Sequence, residues 1–259
     1  MRLLELFSGT HSVGKVAHNL NIHVTSLDRD LGATHGDYTS SCHIKTDIMN
    51  WDYKTFPENS FDIITASPVC LWWSCLRKTW IGRKCKSIHS TEIITKEHLI
   101  NDIEKYGKPM VDKVFEIIKY FKPKYYWIEN PQTGSMKDYI ASEYPEFNKY
   151  YDVDYCKYSD WGYQKRTRFW TNIENFTPKI CKKDCENIVI NNNQKIHFTR
   201  MGSSKTIIDN GKIIRCNTKA LRQKYKDFKN ISHNDDRPTK LDRYRIPPNL
   251  IKELLNKCN

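Results

Sequence analysis

Three groups of residues in this chain have the types and the placement to do chemistry. The first is Ala66-Ser67-Pro68-Val69-Cys70-Leu71-Trp72-Trp73-Ser74, which follows Phe61-Asp62-Ile63-Ile64-Thr65. The preceding run has the size and branching of a buried strand. Pro68 cannot donate to a sheet ladder, so the strand stops there and the chain leaves at the sheet's carboxyl edge. Open α/β sheets keep their ligands at that edge. A cysteine presented there is a candidate nucleophile when its surroundings favour the thiolate. Arg77, Lys78, Arg83, Lys84 and Lys86 are expected to supply that setting. The competing reading is an ordinary core cysteine at a strand end.

The second group is Glu129-Asn130-Pro131, delivered to the same edge by Tyr125-Tyr126-Trp127-Ile128. Glu129 is either a structural ion-pair partner or a general acid with a raised pKa. The third is Gln164-Lys165-Arg166-Thr167-Arg168. In an extended segment Gln164, Arg166 and Arg168 share one face, so two guanidinium groups converge. That face is either solvated or aimed at an anion or a carbonyl. The basic segment 71–86, with Trp72, Trp73 and Trp80, either stacks unpaired bases or packs on its own tryptophans.

The elements that must position these residues can be read in order. Residues 3–7 form a strand, and Ser8 to Gly14 turn into a helix reaching about Leu20. A glycine-containing turn after a first strand lets the backbone approach a cofactor. Residues 22–27 form a second strand ending in Asp28, placed to hold ribose hydroxyls or to sit as a plain surface charge. Asp47, before the next strand, could reach an adenine edge. Met110, Val111, Val114, Ile117, Ile118 and Phe121 make the apolar face of a scaffold helix that Pro123 ends. Residues 151–158 alternate as a strand. Beyond residue 177 periodicity fades, apart from a hairpin at Asp209-Asn210-Gly211-Lys212. Pro247-Pro248 open a closing helix with Leu250, Ile251, Leu254 and Leu255 buried.

The chain's 259 residues can bury one full α/β core with an appendage. A net charge of +12 points to a polyanionic partner, although an AT-biased genome also produces Lys-rich chains. Mean hydropathy of −0.71 and the lack of a long apolar run speak against a membrane span. Nine cysteines, an odd number without stapling pattern or signal peptide, fit free thiols in an intracellular, reducing compartment. No internal repeat is visible.

Taken in order, Leu4-Glu5-Leu6-Phe7-Ser8-Gly9-Thr10, Ser67-Pro68-Val69-Cys70 with Ser74, Glu129-Asn130-Pro131 and Gln164-x-Arg166-x-Arg168 resemble the cytosine-5 DNA methyltransferases, and within them the short phage and viral forms. The resemblance spans residues 1–172. It implies a Rossmann-like α/β methyltransferase fold, S-adenosylmethionine as methyl donor, and a cytosine flipped from double-stranded DNA. Position by position it implies Cys70 as nucleophile, Glu129 as the acid at ring nitrogen 3, Arg168 at the carbonyl oxygen and Arg166 beside it. It also implies Phe7, Gly9, Asp28, Asp47 and Pro68 at the cofactor, and Gln164, Ser74, Trp73, Arg77 and Lys78 at the nucleic acid. Val69, Leu71 and His11 depart from the usual proline, glutamine and glycine.

The expected layout is a catalytic domain over 1–176, a small, partly β target-recognition region over 177–240, and a C-terminal helix over 241–259 packing back on the catalytic domain. The protein is expected to act as a monomer. An RNA cytosine methyltransferase and a catalytically silent DNA-binding homologue are the alternatives. Cys181 and Cys185, with Cys216 or His197, offer zinc ligands without motif spacing, so no metal is expected.

Overall fold

The computed structural model describes residues 1–30, 42–85, 89–191, 193–197, 206–216, 218–227 and 244–258. Lys86 and residues 228–243 lie outside the described residues. Seven strands form the central sheet: β1 (Arg2–Leu6), β2 (His23–Asp28), β3 (Cys42–Lys45), β4 (Ile63–Ala66), β5 (Tyr125–Pro131), β6 (Tyr150–Asp154) and β7 (Arg166–Thr171). Their order is β3-β2-β1-β4-β5-β7-β6. The pairs from β3 to β5 are parallel, whereas β7 runs antiparallel to both its neighbours.

Alternation along each strand sends successive side chains to opposite faces, and both faces are covered, as a parallel sheet requires. On one face Leu4, Leu6, Ile64, Ala66, Ile128 and Trp170 meet Val111, Val114, Phe115 and Ile118 of α3 (Lys108–Phe121). On the other, Leu3, Ile63, Trp127, Val153 and Phe169 meet α1 (Ser12–Asn19) and the C-terminal helix (Pro248–Leu255). The C-terminal helix inserts Leu250, Ile251, Leu254 and Leu255 beside Val13 and Ala17 of α1. The Ile246 N–H also bonds Ser12 Oγ at 3.2 Å. Among the described residues no helix is long and apolar enough to cross a membrane.

The fold adds elements the sequence reading did not give, among them a short pair of Lys84–Cys85 with His89–Ile93 and helices at Lys96–Asp102, Met136–Glu143 and Lys219–Lys224. Strand β3 carries no apolar pattern, because it is a largely exposed edge strand. The strand expected over 151–158 stops at Asp154, where the chain turns into the short 3₁₀ segment Tyr155–Lys157. Beyond residue 177 the structure has an unexpected hairpin, β8 (Ile188–Asn191) with β9 (Gln194–His197), turning at Asn193 with φ 61°. The expected hairpin pairs β10 (Thr206–Asp209) with β11 (Lys212–Arg215), and positive φ at Asn210 and Gly211 makes its tight turn. Ile207, Cys216 and Tyr225 form a small satellite core beneath it.

The closing helix yields a stability prediction. Leu254→Ala should lower unfolding free energy by about 2–5 kcal/mol, because a fully buried side chain leaves a cavity against α1. Lys252→Ala on the exposed side of the same helix should change it by no more than about 0.5 kcal/mol. Urea melts of the two variants check this.

Candidate active site

Three strand ends meet at the carboxyl edge of the sheet. The chain after β1 turns through Phe7 and Gly9, both at positive φ (58° and 45°), and His11 enters α1 with φ 53°. That value explains why glycine suits His11's position: few side chains tolerate the left-handed region. The Gly9 N–H bonds Asp28 Oδ2 at 2.9 Å and the Asp30 N–H bonds Asp28 Oδ1 at 2.8 Å. Asp28 therefore braces the turn from the end of β2. Glu5, buried beneath, accepts the Val13 N–H at 3.0 Å and the Ser26 hydroxyl at 3.1 Å, fixing the start of α1. Asp47 accepts the Met49 N–H at 3.0 Å.

One strand over, β4 delivers the loop carrying Cys70. Pro68 is buried, and its carbonyl accepts a 2.9 Å bond from Asn130 Nδ2, so the end of β5 holds the cysteine loop. The Ser135 N–H reinforces this by bonding the Trp73 carbonyl at 2.9 Å. Gly134 permits the approach, since a Cβ there would stand 3.2 Å from the Trp73 oxygen. Cys70 is half-buried. Burial first, and then the Glu129 carboxylate, push its thiol above the ordinary value, while Lys165 pulls it down.

Glu129 itself is nearly buried. Tyr155 donates to its Oε1 at 3.0 Å, and Lys165 Nζ lies 3.5 Å from the same oxygen. The Lys165 ammonium also rests 4.7 Å over the Tyr155 ring. Cys70, Glu129 and Lys165 thus act on one another: a thiol, a carboxylate and an ammonium at one strand-end site. Neither Lys165 nor Tyr155 was among the expected site residues. Lys165 is the unassigned second position of the Gln164-Arg168 run, and only its backbone register reveals its direction.

That register also corrects the expectation for the arginines. Opposite β5, Glu129 pairs with Phe169 while Asn130 pairs with Arg168. Glu129 and Arg168 therefore leave opposite faces of the sheet. Arg168 is held by both Asp152 oxygens, at 2.7 and 2.9 Å, and lies 3.5 Å over the Tyr150 ring. Arg166 takes both oxygens of buried Asp154, at 3.1 and 2.7 Å. Both guanidinium groups share a face as expected, yet carboxylates directly opposite on β6 occupy them. The cation at the Glu129 carboxylate is Lys165 instead.

The basic tryptophan segment needs a second correction. Trp73 is 3% exposed and stacks on Tyr139 in the core, 5.5 Å between centroids. Arg77, 2% exposed, pairs with buried Asp102 and sits between Trp72 and Trp80 at 5.4 and 5.6 Å. Both side chains are buried rather than exposed to a partner, and the tryptophans of this stretch pack on Arg77, Tyr106 and Tyr139. Lys78 and Gln164 are exposed, and half-buried Ser74 caps the following 3₁₀ turn at the Leu76 N–H.

The expectation against a metal also changes. Cys181, Cys185 and His197 come together with Cys156, not with Cys216, which belongs to the satellite core under β10 and β11. The third sulfur lies 25 residues upstream of Cys181 (181 − 156), outside any motif spacing.

No protein-family profile matches the chain. Over 266 aligned residues, covering 100% of both sequences, it is 38% identical to a probable DNA (cytosine-5)-methyltransferase of Frog virus 3 (isolate Goorha). Among solved structures, a mutant DNMT2 from Spodoptera frugiperda aligns at 12% identity and TM-score 0.39, over 69% of this chain and 53% of that one. A SAM-dependent methyltransferase from Archaeoglobus fulgidus aligns at 13% identity and TM-score 0.35, over 60% of this chain and 64% of that one.

The charges around the thiol set its pH response. Alkylation of Cys70 by iodoacetamide should rise with pH through an inflection above the ordinary thiol value, because burial and Glu129 disfavour the thiolate. Glu129→Gln should move the inflection down by removing a like charge, and Lys165→Met should move it up. Rate against pH, followed by peptide mass spectrometry at Cys70, checks both signs.

Proposed function

The chain belongs to the cytosine-5 DNA methyltransferase family, and from that premise we propose that it methylates carbon 5 of a cytosine flipped out of double-stranded DNA, through a covalent adduct with Cys70. The observation that supports this reading is the delivery of the Cys70 loop and Glu129 to one sheet edge by neighbouring strands β4 and β5, tied by the Asn130–Pro68 bond, with Lys165 3.5 Å from the Glu129 carboxylate. Carbon 5 of cytosine is a weak nucleophile, and a sulfur adding at carbon 6 pushes an electron pair toward carbons 4 and 5 and ring nitrogen 3. The thiol proton passes to the Glu129 carboxylate, oriented by Tyr155, and from it to nitrogen 3 as the thiolate adds. Lys165, in the place foreseen for Arg168, stabilises negative charge drawn onto the ring. A donor aimed at developing charge commonly contributes a few kcal/mol. Carbon 5 then takes the methyl group, whose carrier departs as a neutral thioether. The carbon 5 proton leaves to a base, nitrogen 3 gives its proton back to Glu129, and the carbon–sulfur bond breaks, returning the thiolate.

S-adenosylmethionine fits the residues present. When bound, it supplies a methyl group on a positively charged sulfur. Asp28 spends one lone pair of each oxygen on the Gly9 and Asp30 N–H groups and has further acceptor capacity for a ribose diol. Phe7 and Gly9 shape the backbone beside it, Asp47 stands next along the edge, and buried Pro68 lines the path to Cys70. The base reaches such a site only outside the stack, at a cost of a few kcal/mol. Exposed Lys78 and Gln164, with Ser74, are the residues of the earlier set that remain available to the nucleic acid. Arg166 and Arg168 serve as positioning residues that lock β6 to β7.

A duplex carrying 5-fluorocytosine tests the mechanism, since fluorine at carbon 5 blocks the final elimination. With S-adenosylmethionine present, wild type should form a denaturant-stable adduct, and Cys70→Ser should form none. An adduct on RNA in preference to DNA would reassign the substrate, and DNA binding with no adduct would leave a silent homologue. Lys165→Met should lower the methylation rate about 10²–10³-fold, the usual loss for one preorganised donor. Arg168→Lys should instead act mainly on the melting temperature.

A further inference from the structure

The cluster at the boundary between the sheet and the β8–β9 hairpin has no part in the chemistry above. Cys156 stands in the 3₁₀ turn after β6, Cys181 and Cys185 in the loop before β8, and His197 at the end of β9. Their four ligand atoms all lie within 4.8 Å of one another. His197 Nε2 is 3.4 Å from Cys181 Sγ and 3.5 Å from Cys185 Sγ. A tetrahedral zinc with bonds of about 2.3 Å to sulfur and about 2.0–2.1 Å to nitrogen sets sulfur–nitrogen edges at about 3.6 Å. The two His197 edges match, and all four ligand atoms lie close enough for one ion to draw them in.

We propose that Cys156, Cys181, Cys185 and His197 bind one structural zinc ion that fastens the β8–β9 hairpin to the edge of the catalytic sheet.

The surroundings are built for thiolates. The Lys183 N–H donates to Cys181 Sγ at 3.3 Å, and the Asn187 N–H donates to the Cys185 sulfur. Each donor lies two residues after its cysteine, and Lys183 takes a left-handed turn, φ 62°, to do so. Backbone N–H donors aimed at sulfur stabilise its negative charge, as metal-bound thiolates require. Cys156 and Cys181 are buried, and Cys185 and His197 are half-buried, so the site lies largely beneath the surface. With three sulfurs and an imidazole, the coordination is complete, so the ion has a structural role and no open position for a reacting water. A single disulfide would satisfy two sulfurs and leave the third, with the imidazole, unaccounted for.

The cluster is also tied to the catalytic residues. The Cys181 N–H bonds Asp154 Oδ2 at 2.8 Å, on the carboxylate that Arg166 grips. Asn187 Nδ2 bonds the carbonyls of Cys156 and Ser159 at 2.9 and 2.8 Å, and Gly162 donates to Asn187 Oδ1 at 2.9 Å. Tyr155, whose hydroxyl bonds Glu129, is the residue next to Cys156. An appendage of this size buries too little apolar surface to hold its own orientation, and a metal supplies the missing constraint.

The full chain, purified without chelator or added thiol, should contain about one zinc per molecule by mass spectrometry of metals. Cys181→Ser and His197→Ala should each remove most of it, while Cys216→Ser should leave it unchanged. Should those variants fail to fold, wild type treated with a chelator and titrated with cobalt should develop the strong visible bands of a tetrahedral thiolate site, at one equivalent. Chelation should also lower the melting temperature, and zinc should restore it. Protein that carries no metal and takes up no cobalt, a Cys181–Cys185 disulfide in peptide maps, or loss of metal in Cys216→Ser would each overturn the proposal. These readouts do not depend on methyl transfer.

Discussion

The arrangement on which everything else depends is a nearly buried carboxylate, Glu129, held between a phenol and an ammonium beside a thiol. Burying a charge alone is costly, and the structure meets that cost with Tyr155 at 3.0 Å and Lys165 at 3.5 Å. Burial first, and then the same carboxylate, push the Cys70 thiol above its ordinary value.

The site stands because strand ends are fastened to one another by side chains. Asn130 reaches the Pro68 carbonyl, and Ser135 reaches the Trp73 carbonyl, so β4 and β5 present their loops as one piece. Asp28 does the same between β2 and the turn after β1. On the far edge, the Asp152–Arg168 and Asp154–Arg166 pairs lie directly across β6 and β7. Cross-strand opposite charges contribute modestly when exposed. Here they are bidentate and partly buried, which makes them geometric locks. Asp154 extends the lock to Cys181, linking the catalytic edge to the hairpin beyond it.

Tryptophans that could have faced a nucleic acid are spent on structure. Arg77 lies between Trp72 and Trp80 and pairs with Asp102, turning a basic, aromatic stretch into a packed platform beneath the Cys70 loop. Lys78 stays exposed beside this packed stretch.

Local order in the sequence was enough for the strands at 2–6, 23–28, 63–66 and 125–131, for the scaffold helix, for the closing helix and for the Asn210-Gly211 hairpin, because apolar periodicity and turn residues are set by neighbours in the chain. Motif order likewise pointed to Cys70 and Glu129 as candidates, and the fold brings their strand ends side by side. Edge strand β3 and hairpin β8–β9 were not legible, since exposed or short strands carry no burial pattern. Tertiary structure alone decided which of Lys165, Arg166 and Arg168 meets Glu129, because strand register, a property of two segments 35 residues apart (165 − 130), assigns each side chain its face. It alone decided that Trp73 and Arg77 point inward, and that Cys156 joins Cys181, Cys185 and His197. Composition and spacing act along the chain, whereas faces and ligand clusters are set across it, by packing.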